Sequence, residues 1–378
     1  MLKNNPIFLF IIALFFFYSC NKEHKNIESN DICIDIEKKA EVSIFDIFSK
    51  VEIIRLEIND SSIIKSIDKL FIYKDNFYVF DNFASQILSF NKEGKFLFDI
   101  NNKGQGPDQY IKISDFDINN GRLSLISTID GYIHLYDLQG NFVEKYRLPK
   151  IQGAYERIKY LNNDTIAFWT FDYNNRLKFY SKVENKIFKE TMPQQNDIYS
   201  QFSTPVFPYS HYIVNAFDNR VMQMTDDGEL TLAYKWDFGT LNNNIDNLKE
   251  APESNSQEKL YDFAKKIYSS EIVNYFFGMA GGNSEYIYTQ LIRKNKQINI
   301  FYNQKTSKKY VFEKTVEGAA IYPIFWAENY VVGIIPSGIK LNIDEILPNS
   351  ILDNKNISIK NQINEFDNPI LIKYYLKK

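Results

Sequence analysis

A set of short strand-like runs returns along this chain at a spacing of roughly 45 residues, a period that belongs to repeat architectures. The first copy reads FYVFD, QILSFNKEG and KFLFDI over residues 77–100, and the second RLSLIS, YIHLYDLQG and FVEKYRLP over 122–149. The third reads TIAFWT, RLKFYSKVE and KIFKETMP over 165–193, and the fourth YIVNAFD, RVMQMTDDG and LTLAYKWDF over 212–238. Each run is rich in Val, Ile, Phe and Tyr, has the length of a strand, and is bounded by Asn, Asp or Gly. Lys92-Glu93-Gly94, Leu138-Gln139-Gly140 and Asp226-Asp227-Gly228 hold equivalent places, where a tight hairpin calls for a residue tolerant of positive φ. One such sheet cannot bury both of its faces alone. Copies of it do so by standing side by side around an axis, as the blades of a propeller.

Counting blades requires setting one segment aside. Leu260, Phe263, Ala264 and Ile267 fall on one face at helical spacing, and Asn255 with Glu258 makes a capping box. The expectation is a helical insertion over about residues 243–271. Beyond it IVNYFFG, EYIYTQLI, QINIFYN and KKYVFEK form a fifth blade, while IYPIFW, YVVGII and PILIKYYLK give a sixth that lacks its outermost strand. The run KVEIIRLEI at residues 50–58 has no blade of its own and fills that place. Without it the ring would leave a sheet edge open. The fold expected is therefore all-β: a six-bladed β-propeller of four-stranded antiparallel blades, closed by an N-terminal strand, with one helical insertion. The innermost strands, over residues 62–73, 112–119 and 156–161, are less uniformly apolar than the middle ones, because a channel wall meets water along part of its length.

The N-terminus has Lys3, an apolar run over residues 6–18, and Tyr18-Ser19-Cys20. That run is shorter than the roughly 20 residues that span a bilayer and ends in a small residue, which reads as a signal peptide over residues 1–19. Cys20 is the expected lipidation site, residues 20–39 a flexible polar tether, and residues 40–378 the propeller. Cys33 is the one other cysteine, so neither a disulfide framework nor a cysteine metal cluster is expected. A formal charge of −3 with no basic face argues against nucleic acid as a partner. The 31 Phe, 26 Tyr and 3 Trp sit mostly inside strand runs, where they serve blade-to-blade packing.

The most distinctive short motif is GQGPDQY at residues 104–110, between blades one and two and followed by SDFDI. This motif, the blade spacing and the lipobox-like Tyr18-Ser19-Cys20 together resemble the six-bladed β-propeller lipoproteins of Bacteroidota, which are in turn similar to NHL and TolB-like propellers. Members often carry G-x-G-P-G-E-Y there; here Asp108 and Gln109 replace its Gly and Glu. The resemblance implies a fold and an address at the cell envelope, on an outer membrane facing the periplasm or the surface, and it implies no activity. The bottom-up reading of the motif is structural: Gly104, Gly106 and Pro107 shape a tight crossing and Tyr110 plugs it. The P-loop spacing and its Lys-Ser/Thr ending are absent.

His24, His134 and His211 show no zinc spacing, and there is no Gly-x-Ser-x-Gly elbow. No catalytic set, metal site or cofactor is expected. Asp115 and Asp117, two apart on an inner strand, share one face. The longer connections fall on the face that also carries the loops between second and third strands, and function tends to follow elaborated loops on a rigid scaffold. A site at the channel mouth on that face would draw on Tyr110, Asp115, Arg157 and His211. The function expected is a membrane-anchored, non-catalytic binding module for a glycan, peptide or protein partner. The alternative is a propeller enzyme of lyase or hydrolase type, whose mark would be convergent polar groups with displaced pKa values.

Overall fold

The computed structural model describes residues 30–38, 41–172, 174–193, 211–214, 216–242, 257–276, 281–336 and 343–377. The chain enters through β1 (Asp31–Cys33), a single helical turn α1 (Ile44–Ile47) and β2 (Phe48–Arg55). Blade one then comprises β3 (Lys69–Tyr73), β4 (Asn76–Asp81), β5 (Gln86–Phe90) and β6 (Phe96–Ile100), and blade two β7 (Asp115–Asn119), β8 (Arg122–Ser127), β9 (Tyr132–Tyr136) and β10 (Phe142–Arg147). Blade three comprises β11 (Tyr155–Tyr160), β12 (Thr165–Thr170), β13 (Asn175–Ser181) and β14 (Lys186–Pro193). In blade four β15 (Tyr212–Val214), β16 (Arg220–Met224) and β17 (Leu230–Asp237) are joined by β1. Helix α2 (Gln257–Ser269) follows. Blade five is β18 (Tyr275–Phe276) and β19 (Gly281–Gly282), both paired with β20 (Tyr286–Arg293), then β21 (Lys296–Asn303) and β22 (Lys309–Phe312). Blade six runs from β23 (Pro323–Trp326) through β24 (Tyr330–Ile335) and, after α3 (Ile343–Ile346) and α4 (Asn354–Lys360), to β25 (Ile370–Leu376), with β2 outermost. The six-bladed propeller expected from the repeat is the fold of the chain.

The apolar runs become middle strands. Every residue of β12 is buried, whereas β10 on the rim has no fully buried position. Between blades one and two, Tyr78, Phe80, Phe116, Tyr136 and Ile87 form one packed layer. Between five and six, Phe48 meets Phe301 edge-on at 5.7 Å with an interplanar angle of 88°. Flat rings tile these wedge-shaped interfaces and contribute about 0.5–1.5 kcal/mol per pair beyond area burial.

Ring closure is as expected. β2 pairs antiparallel with β25 from Phe48↔Leu376 to Arg55↔Ile370. Asn356 Oδ1 accepts from Ile53 N at 2.8 Å, and Arg55 meets both carboxylate oxygens of Asp367 at 2.9 Å. Gly94, at φ +83°, turns the blade-one hairpin against this seam, and a Cβ there would lie 2.1 Å from the Arg55 carbonyl oxygen.

The tether expected over residues 20–39 requires correction from residue 31 onward. β1 pairs parallel with β17, Ile34 N donates to Asp237 O at 2.7 Å, and Ile32, Ile34 and Ile36 are buried against blades four and five. Glu37 pairs with Arg293, Val316 N donates to Val42 O at 2.9 Å, and the Glu317 carboxylate accepts from Ile44 N at 3.0 Å. The segment is thus a belt across the rims of blades four, five and six. Three isoleucines alternating with Asp31, Cys33 and Asp35 are a period-two strand signal, and it outweighs the polar composition around it. The rest of the expected tether, residues 20–29 and 39, lies outside the described residues, as do the signal segment 1–19 and Cys20. No helix among the described residues is long and apolar enough to cross a membrane.

Helix α2 lies between blades four and five, with Phe263 and Ile267 packed on Phe217 and Tyr275. Asn255 of the expected capping box, and residues 243–256 of the insertion, fall outside the described residues.

Candidate functional site

The innermost strands set the channel wall, and their polar side chains are largely engaged with one another. Asp115 and Asp117, alternate residues of β7, are both buried. Asp115 Oδ2 accepts from Ile158 N at 2.9 Å and Asp117 Oδ2 from Tyr160 N at 2.8 Å. Two carboxylates spaced i, i+2 thus satisfy two amides spaced i, i+2 on β11, whose edge faces no backbone partner on that side. Lys69 of blade one adds a second tie, with Nζ 3.0 Å from Asp115 Oδ2. Lys159 Nζ lies 3.9 Å from Asp117 and 5.9 Å from the centre of the Phe71 ring. These acids are inter-blade fasteners.

The GQGPDQY loop closes on itself. Gly106 N donates to Gln109 Oε1 at 2.8 Å, and Gly104 N to Tyr110 O at 2.9 Å. Neither glycine has positive φ; what they provide is room, since a Cβ on Gly104 would lie 2.0 Å from Gln109 Oε1. Pro107 sits at the exposed tip of this turn. Tyr110 is fully buried, and its hydroxyl lies 3.0 Å from the carbonyl oxygens of both Ser85 and Ile100. It is a plug between blades one and two, and as a ligand contact it is withdrawn.

Of the four residues expected at the mouth, Asp115 and Arg157 come together: Arg157 NH1 donates to Ser114 O at 3.3 Å. His211 does not join them. It precedes β15 and lies 4.0 Å from Asp226 in the β16–β17 hairpin, with Lys159 and Asp117 as its other charged neighbours. Burial, with Lys159 nearby, pulls its pKa down.

Sequence reasoning missed the groups beside Arg157. A bulge between Tyr155 and Arg157 turns Glu156 inward, where its Oε2 is buried with no hydrogen-bond partner. Burial pushes its carboxyl up to about 7, against the opposing pull of Arg157 and Arg176. The Arg176 guanidinium stands 6.0 Å from the Trp169 ring and 5.8 Å from that of Phe171. Trp169 Nε1 is buried without a partner. Next to it Lys178, almost fully buried, holds Asp172 and Glu190, each at 2.9 Å. Burial raises the Asp172 carboxyl, but bonds from Asn174 N and Lys178 outweigh it and keep the pKa below the ordinary range. The only hint in the sequence is a run of charges inside otherwise apolar strands, ERIKY and RLKFY. Arg157, Glu156, Arg176, Trp169 and Phe171 together make a cationic, aromatic-walled mouth on blade three with an orphaned acceptor and an orphaned donor. Such a site suits recognition of a carboxylate or a polar ring. Tyr173 and residues 194–201, in the connections that flank these strands in the sequence, lie outside the described residues. Among the described residues no group of three or more His, Cys, Asp or Glu side chains is placed to hold a metal ion.

The family model described as "Domain of unknown function (DUF4934)" matches residues 27–375. No curated protein matches the sequence significantly. Among solved structures, a Bacteroides fragilis protein described as exported aligns over 92% of this chain and 100% of its own, with 17% identity and a TM-score of 0.73. A duf4221 family member from Bacteroides vulgatus aligns over 90% of this chain and 99% of its own, with 10% identity and a TM-score of 0.53. A catalytically inactive virginiamycin B lyase from Staphylococcus aureus, solved with quinupristin, aligns over 85% and 98% at 11% identity and a TM-score of 0.41. At these identities the first two likenesses speak for the propeller fold alone, and the third is too loose to carry an argument.

Proposed function

The chain belongs to the DUF4934 family, and from that premise we propose that it is a non-catalytic binding module of the cell envelope. Acylated Cys20 anchors it to an outer membrane, on the periplasmic or surface side, and the blade-three mouth engages a carboxylate-bearing glycan or peptide. The carrying observation is the division of labour among charged groups: Asp115 and Asp117 are consumed in the wall, while Arg157 and Arg176 stand with Trp169 and Phe171 at the mouth. Resemblance to the Bacteroidota lipoproteins, and a structural neighbour described as exported, support the address. The test is a glycan and peptide array probed with the soluble domain and with an Arg157→Ala/Arg176→Ala variant. Binding lost in the variant at unchanged melting temperature is the expected result, and binding retained removes the mouth from the proposal. Radiolabelled palmitate incorporated by the wild type but not by Cys20→Ala tests the anchor.

One observation favours a second reading. A carboxyl poised near neutrality between two arginines, as Glu156 is, is what a general acid or base requires. The readings separate cleanly: an enzyme would lose turnover in Glu156→Gln while keeping ligand affinity, whereas a binding module would consume no ligand in either form.

A further inference from the structure

The belt and blade five line an open cavity of about 530 Å³ that shares no residue with the blade-three mouth. Three pieces of chain wall it: Ile36 and Lys38 from the belt, β21 and β22 from blade five, and residues 320–322 leading into blade six. Its volume falls within the ~300–1,000 Å³ of small-molecule sites. Phe312, Ile298 and Ile321 give it an apolar floor, the amides of Gln297 and Asn299 a polar wall, and Tyr322 an aromatic face that is 38% exposed. The lining charges are Lys38, Lys296, Lys314 and Glu313. Lys296 is matched by Glu313, with Nζ 2.9 and 3.0 Å from its two oxygens. Lys314 is only loosely held, 3.7 Å from the well-exposed Glu345. The cavity therefore carries surplus positive charge above an apolar and amide-lined interior.

We propose that this cavity is a second ligand site, for a small organic anion of sugar-acid size, and that its occupant fastens the belt to blades five and six. The unpartnered Gln297 Nε2 and a tyrosine face offer a hydrogen bond and a stacking surface to a hydroxylated ring, and the lysines select for a carboxylate on it. Because Ile36 and Lys38 form one wall, a ligand seated there binds the docked belt and not the released one, so occupancy stabilises docking by mass action. The site does not depend on the proposed role of the blade-three mouth.

The experiment titrates the soluble domain, residues 30–378, with D-glucuronate and with D-glucose as the uncharged control, following heat of binding and hydrogen exchange of residues 31–38. The expected result is saturable glucuronate binding, no glucose binding, and slower exchange in the belt. Lys38→Ala/Lys314→Ala, two substitutions at the exposed rim, should weaken binding about tenfold or more and abolish the slower belt exchange, while Arg157→Ala/Arg176→Ala, which removes only glucuronate held at the mouth, should leave that slower exchange in place. Absence of saturable glucuronate binding, equal binding of glucose, indifference to the lysine substitutions, or loss of the belt's slower exchange on substituting the arginines would each overturn the proposal. Failure at the cavity leaves the array result for the mouth standing, and the reverse holds too.

Discussion

Asp115 Oδ2 accepts a hydrogen bond from the Ile158 backbone amide across 2.9 Å, joining blade two to blade three with a side chain where adjacent strands of one sheet would use a carbonyl. The bond is buried and shared with Lys69, so neither partner has water to fall back on.

Asp115→Ala should therefore cost about 3–5 kcal/mol, the range for breaking a buried charged pair from one side. For a chain of this size that corresponds to a fall in melting temperature of roughly 4–7 °C. Asp115→Asn, which keeps an acceptor for Ile158 N, should lose less. Differential scanning calorimetry of the two variants checks the order, and equal losses would mean that the amide bond contributes nothing.

Glu156 gives a pH signature. Its folded carboxyl sits at about 7, above the usual value, because burial disfavours the charged form. A raised folded pKa means that its contribution is complete below the unfolded pKa near 4.3 and is lost as pH rises through 7. Glu156→Gln should stabilise the protein at pH 8 relative to pH 5, by about 1–2 kcal/mol once the residue's partial exposure is discounted. Urea titrations at the two pH values measure this; a variant that tracks the wild type at both would refute it.

His134 acts on the acid side. It is fully buried with neither ring nitrogen hydrogen-bonded, and its Nε2 lies 3.6 Å from Asp130. Burial lowers its pKa, with Asp130 only partly opposing. The neutral ring is thus favoured in the fold, and its contribution is whole above the unfolded value near 6.5 and declines as pH drops below it. Between pH 7.5 and 5.5 the wild type should lose more stability than His134→Leu. Parallel slopes for the two proteins would show that the ring does not titrate with unfolding.

The belt and the closing strand should separate in deletion experiments. Removing residues up to 38 takes away β1 and its isoleucines and should lower the melting temperature while leaving one cooperative transition. Removing residues up to 58 also takes β2 from its pairing with β25, exposing a sheet edge and an unfinished blade. That protein should melt without cooperativity. A sharp transition in the longer deletion would contradict closure by β2.

The repeat, the blade count and the closing strand were legible because each blade repeats the same apolar spacing, and spacing survives in a sequence without any knowledge of contacts. The belt was not: Ile32, Ile34 and Ile36 lie in a charged stretch, and their strand character depends on an edge, β17, more than 190 residues away. Tyr110 was legible as a plug, and its buried hydroxyl bears out that half of the reading. Of the residues in the candidate site, the sequence named only Arg157. Glu156 and Arg176 acquire their character from a bulge and from burial, which are tertiary properties, and His211 stands beside Asp226 and Lys159, apart from Arg157, because the order of strands does not tell which neighbours a residue at a strand end will meet.

The pairing of Phe48–Arg55 with Ile370–Leu376 also dictates a timetable. β2 must wait for a strand made more than 300 residues later before either is complete, while blades one, two, three and five form from local neighbours in between. Contacts of such sequence separation are slow to form and leave an adhesive edge waiting in the meantime, so β25 works as a lock turned only after the blades before it have been made.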